Sequence, residues 1–108
     1  MKITITGQGV DLGNSVREHI ERRVRFGVGR FGSKVARISV RLIDVNGPRG
    51  GEDKVCRIET RLAGQPPVAV EESGSNVLAA FGRAIERAGR AVRRILERRF
   101  AQRRTAVT

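Results

Sequence analysis

The 108 residues predict an α+β domain of order β-α-β-β-β-α, a single four-stranded sheet with two helices packed on one face. Three patterns carry that reading. Four short segments are built of alternating or β-branched apolar residues, the period-two signature of half-buried strands. Two longer segments repeat apolar residues every three or four positions, as amphipathic helices do. Each of the last three strands has one apolar face, so the economical packing lays both helices on the same side of one sheet.

Lys2-Ile3-Thr4-Ile5-Thr6 alternates polar and β-branched residues and opens the chain as a strand. Gly7 and Gly9 turn it, and Asp11 or Asn14 is placed to cap a helix over about 13–30, in which Val16, Ile20 and Val24 recur every four residues until Gly27, Gly29 and Gly32 weaken the pattern. Arg37 to Leu42 alternates strictly, with Ile38, Val40 and Leu42 on one face. Asp44 to Lys54, DVNGPRGGEDK, is dense in turn formers and reads as a long loop. Val55 to Leu62 puts Cys56, Ile58, Thr60 and Leu62 inward and Arg57, Glu59 and Arg61 outward; with Arg37 and Arg41 these form the solvent face of the sheet. Ala63-Gly64-Gln65-Pro66-Pro67 breaks the run, and Val68-Ala69-Val70-Glu71 makes a short fourth strand.

Ser73, Ser75 or Asn76 then caps a final helix that runs to about Arg99, leaving 100–108 as a flexible basic tail after one domain over 1–99. Leu78, Phe81, Ile85, Ala88, Val92 and Ile95 form its core stripe. Gly82 and Gly89, each about 1 kcal/mol worse than alanine inside a helix, imply a close approach to the sheet or the first helix. No internal repeat, low-complexity segment or linker to a second domain interrupts the chain.

On the side of this helix away from the core stripe, Arg83, Arg87, Arg90, Arg94 and Arg98 are spaced 4, 3, 4 and 4 apart. At about 100° per residue they share one narrow row. Like charges at such spacings repel, and Glu86 and Glu97 fall to the flank of the row, so the helix is suited to meet an anion, phosphate first. The whole chain has 22 Lys+Arg against 11 Asp+Glu, a formal charge of +11. Nine arginines against two acids lie from Asn76 onward. Nineteen of the basic residues are arginine, whose planar fork suits bidentate phosphate contact. Arg22 and Arg23 extend the positive surface if the helices lie side by side. With four Phe and no Trp or Tyr, the composition argues against base stacking and for recognition of folded RNA by shape and backbone.

Other chemistries find no footing. Gly7-Gln8-Gly9 with Gly13 is one residue longer than the dinucleotide fingerprint, and Asp44 lies too far on to serve as its ribose acid. His19 and Cys56 are the only residues of their types, so no His/Cys metal cluster assembles and Cys56 has no disulfide partner. His19 belongs on the flank of the first helix and Cys56 on the inner face of the third strand. The acid pairs Glu52-Asp53 and Glu71-Glu72 read as solvated. The expectation is a non-enzymatic protein without metal or small-molecule cofactor, with no membrane segment, in a reducing cytoplasm.

Residues across almost the whole chain resemble a known family. The opening ITGQGVDLGNSVREHI, the helix start NVLAAFGRAIERAGRAVRR and the β-α-β-β-β-α order are similar to the bacterial ribosome hibernation-promoting factor / ribosome-associated translation inhibitor (sigma-54 modulation protein) family. Val16-Arg17-Glu18 resembles that family's leucine-arginine-glutamate step, Phe31 its helix-ending phenylalanine, and Asn76 to Phe81 the opening of its second helix. The family's later basic positions fall on Arg87, Arg90 and Arg94. The resemblance implies a double-stranded-RNA-binding-domain-like fold, in the short form without the long form's carboxy-terminal dimerisation domain. It further implies a factor lying in the decoding groove of the small ribosomal subunit and silencing translation under stress, with ribosomal RNA and the small subunit as partners. The contact residues expected are Arg22, Arg23, Lys34, Arg83, Arg87, Arg90, Arg94 and Arg98. The alternatives are a general structured-RNA binder and a basic adaptor for an acidic protein partner. Three features depart from the family pattern: the glycines ending the first helix, the loop NGPRGGEDK, and arginine in place of lysine.

Overall fold

Strand β1 (Lys2–Gln8) lies parallel to β2 (Val35–Asp44), and β3 (Lys54–Leu62) and β4 (Val68–Gly74) follow antiparallel, so the sheet order is the chain order. The computed structural model describes residues 1–45 and 53–107. The parallel β1–β2 pair needs a crossover, and helix α1 (Asn14–Val28) with a 3-10 segment (Gly29–Lys34) provides it. Helix α2 (Val77–Val107) follows β4 and continues past the end near Arg99 that its sequence pattern implies. The turn-rich stretch 46–52 expected between β2 and β3 lies outside the described residues.

Period-two alternation becomes two chemically distinct faces. Ile5, Val40, Ile58 and Val70 align across all four strands on the inner side, and Ile3, Ile38, Thr60 and Val68 form the next row. Both helices cover that side: Ile20, Val24 and Val28 of α1 and Phe81, Ala84, Ile85 and Ala88 of α2 are buried in the same cluster as Ile38, Val40, Leu42, Cys56 and Ile58. A smaller cluster of Val35, Leu62 and Val92 continues the core towards the far end of α2, with Phe31 packed against both. Phe81, the largest fully buried side chain, anchors the layer; its truncation to alanine costs about 3–5 kcal/mol.

Several local expectations need correction. Neither Asp11 nor Asn14 caps α1: extended Gly13 occupies the cap position without a side-chain bond. Asn76 does cap α2, accepting from the Ala79 N–H at 2.9 Å. Leu78 points outward at 40 % exposure instead of joining the core. Gly89 is a contact glycine, since a Cβ there would lie 3.4 Å from the Gly27 carbonyl oxygen, but a Cβ on Gly82 would meet nothing within 4 Å. Gly74 has the clearest steric role. A side chain on it would come within 2.8 Å of the Ala80 nitrogen, so the bare backbone lets β4 run under the first turn of α2.

Asp53, expected to be solvated, is 4 % exposed. Lys54 Nζ sits 2.8 Å from Asp53 Oδ1 and 3.3 Å from Asp44 Oδ2, tying the start of β3 to the end of β2. The hydrogen bond Lys54 donates to Asp53, followed by its bond to Asp44 and that carboxylate's charge, holds the Lys54 ammonium above its ordinary pKa. Asp53 Oδ2 and Thr60 Oγ1 are buried without a hydrogen-bond partner among the described residues. Cys56 lies on the inner face, as its alternation implies, and burial pushes its thiol up to about 12.

Candidate nucleic-acid interface

A row defined by helical spacing alone divides in two once β4 is beside it. Arg83 Nη1 donates to the Ser73 carbonyl at 2.9 Å, and Arg87 Nη1 donates to the Glu71 carbonyl at 3.3 Å. Ser73 and Glu71 belong to the edge strand of the sheet, so these two guanidinium groups cap main-chain acceptors that β3 does not cover. Arg87 also lies 4.0 Å from Glu72 Oε1. At that distance and with both side chains partly solvated, the ion pair itself adds little.

Farther along, Arg90, Arg94 and Arg98 are exposed and form no hydrogen bond or ion pair among the described residues. Glu97, which lies between Arg94 and Arg98 in sequence, is engaged by Arg93 Nε at 3.3 Å on the flank. Arg98 stands beside the β3–β4 turn, sharing a shallow depression with Pro66, Pro67 and Arg99. Arg99, absent from the expected contact set, is a tether: its Nη1 donates to the Ala63 carbonyl at 2.8 Å. The Ala63 N–H donates in turn to the Lys34 carbonyl at 3.1 Å, which places exposed Lys34 near this end of α2.

The two helices do lie side by side, crossing where Gly27 meets Gly89. This brings Arg23 of α1 and Arg90 of α2 to the rim of one cleft. Arg22 is exposed on the other flank of α1, in a depression shared with Glu18, Glu21 and Arg25, where Arg25 and Glu21 pair at 3.0 Å. Arg22 therefore extends the surface but does not join the cleft. Sequence reasoning passed over Arg30 and Phe26, both of which line that cleft. The signal for Phe26 was available: it lies two residues past Val24 of the Val16, Ile20, Val24 repeat, on the outward side of the helix.

The uncovered face of the sheet is also basic. Lys2, Arg37 and Arg61 stand directly opposite one another across three strands, and none has an acid partner among the described residues. Beyond the intervening row of Thr4, Ser39 and Glu59, Arg41 donates to Gln8 Oε1 at 2.9 Å and Arg57 lies 3.5 Å from Glu71 Oε2. Like charges facing each other on neighbouring strands weaken a sheet.

No group of three or more His, Cys, Asp or Glu side chains that could hold a metal gathers among the described residues. No helix among them is long and apolar enough to cross a membrane. Four strands in chain order, two helices on one side and a cationic helix crest define a basic α+β domain of order β-α-β-β-β-α with one mixed sheet. The chain belongs to the family described as sigma 54 modulation protein / S30EA ribosomal protein, whose model matches residues 3–99. This is a family of ribosome-associated factors and not a known class of enzyme.

Solved structures agree on the fold. The N-terminal domain of Protein Y from Thermus thermophilus superposes with a TM-score of 0.72 at 24% identity, covering 88% of this chain and 99% of that one. A ribosomal subunit interface protein from Coxiella burnetii gives a TM-score of 0.72 at 16% identity, covering 90% and 99%. Among curated proteins no sequence match is found.

Proposed function

We propose that this protein binds the small ribosomal subunit through phosphates of its ribosomal RNA and inhibits translation by occupying the decoding groove, as a hibernation factor acting in the cytoplasm under stress. The observation that carries this reading is the run of exposed arginines, Arg90, Arg94 and Arg98, without internal partners among the described residues, in a chain of ribosome-associated family. Free guanidinium groups on a rigid helix are pre-organised for bidentate phosphate contact. Arg22, Arg23 and Lys34 widen the footprint from α1 and the end of the 3-10 segment. Arg83 and Arg87 stand at the near end of the row, where they hold β4.

Contacts of this kind displace counterions, so affinity falls steeply with salt. The test is co-sedimentation with purified small subunits across a salt series, using wild type and a variant in which Arg87, Arg90 and Arg94 are all replaced by Gln. Weaker co-sedimentation and a flatter salt dependence are expected. Equal competition by bulk double-stranded RNA would instead mark a general structured-RNA binder, and nuclease-resistant capture of an acidic protein would mark an adaptor.

A further inference from the structure

Phe26 is 81 % exposed, more than any other large apolar residue in the described chain, and it stands at the mouth of a concave site. The cleft between α1 and α2 measures about 300 Å³. Its floor is made by the close helix crossing: a Cβ on Gly27 would come 3.2 Å from Ile85 Cγ1, and one on Gly89 would come 3.4 Å from the Gly27 carbonyl. Arg23 and Arg30 of the α1 side and Arg90 of α2 surround it. Glu86 is the single carboxylate in the lining.

From these groups we infer that the cleft holds one unstacked nucleotide of a single-stranded RNA segment, with its base on the Phe26 ring and its flanking phosphates on Arg23, Arg30 and Arg90. An aromatic face left in water costs hydration free energy that a stacked base relieves, and every base has such a face. Arg23, Arg30 and Arg90 less Glu86 give the lining a net positive charge opposite to that of a base with a phosphate on either side, and Arg30 is held there with its guanidinium 5.0 Å from the Phe31 ring centroid. Glu86, an acceptor, fits an exocyclic amine or a ribose hydroxyl. A free phosphate or a featureless polyanion would use the arginines and leave Phe26 without a role. The chain is poor in aromatics, yet one is placed where a base can reach it.

The inference rests on the phosphate-binding reading of α2 and adds base recognition to it. The test compares binding of a twelve-nucleotide oligo(A) RNA with an abasic ribose-phosphate oligomer of the same length, by fluorescence anisotropy at fixed salt. Wild type should favour the oligo(A) by roughly 5- to 150-fold, the range for one stacked base. Phe26→Ala, at an exposed position where folding is not at stake, should erase that preference while binding the abasic oligomer as wild type does, and Phe26→Tyr should restore it. Equal wild-type affinity for the two oligomers, or no binding of either, overturns the inference. So does a preference that survives Phe26→Ala, or adenosine monophosphate binding as tightly as the oligomer. Small-subunit co-sedimentation of Phe26→Ala keeps the two readings apart: if it retains the wild-type salt dependence while base preference was never present, the nucleotide cleft is wrong and the phosphate row stands.

Discussion

The two halves of the α2 arginine row differ in what holds them. Arg83 and Arg87 are bonded to main-chain carbonyls of β4, whereas Arg90, Arg94 and Arg98 face outward with no partner among the described residues. One periodic pattern thus contains a structural half and a half available to a ligand. The division follows β4, whose edge runs beside the first turns of α2 and supplies acceptors only there. Helical spacing identifies which side chains share a face; it says nothing about which of them a neighbouring strand has already engaged.

Breaking the outer half should have the largest effect. With Arg90, Arg94 and Arg98 all changed to Gln, the slope of log affinity for RNA against log salt should become shallower by about three, while stability in urea stays within about 0.5 kcal/mol of wild type. Changing Arg83 and Arg87 to Gln should give the inverse result: a stability loss of about 1 kcal/mol, discounted for solvent exposure, with the RNA salt slope altered by less than one unit. Identical behaviour of the two variants would erase the distinction.

A smaller effect should come from the opposite side of the sheet. Arg37→Thr removes the middle cation from the Lys2, Arg37, Arg61 row and should raise stability by about 0.2–1 kcal/mol at low salt. The gain should vanish near 1 M salt, where screening already quenches the repulsion. The same unfolding assay, run against pH, checks the shared core. The Cys56 thiol is raised from 9.0 to about 12 by burial, so the folded state disfavours the thiolate. The stability this contributes is complete below pH 9.0 and declines as pH rises towards about 12. Lys54, also raised, loses its contribution in the same direction above 10.5. Cys56→Val should flatten the earlier part of that alkaline decline.

Much of the architecture was legible because burial follows period. Ile38, Val40 and Leu42, and Ile20 and Val24, are buried where alternation and helical repeat put them, with Val16 partly buried beside them. What sequence could not supply was contact between distant elements. The Arg83–Ser73 and Arg87–Glu71 bonds span 10 and 16 residues and depend on β4 passing under α2, which Gly74 permits. Asp53 reads as a loop acid, yet Lys54 and the end of β2 enclose it. The nucleotide cleft escaped notice for a related reason: Phe26 and Arg90 are far apart in sequence, and only the glycine-to-glycine crossing puts them on one opening.

Both margins of the sheet are closed by guanidinium groups. Arg17 Nη1 donates to the Ile5 carbonyl of β1 at 3.0 Å, as Arg83 and Arg87 do to β4. A foreign strand seeking to extend the sheet by hydrogen bonding would have to dislodge a charged clamp at either margin. Fibril growth by edge addition is thereby obstructed on both sides, and the chain can accumulate to high concentration without seeding its own aggregation.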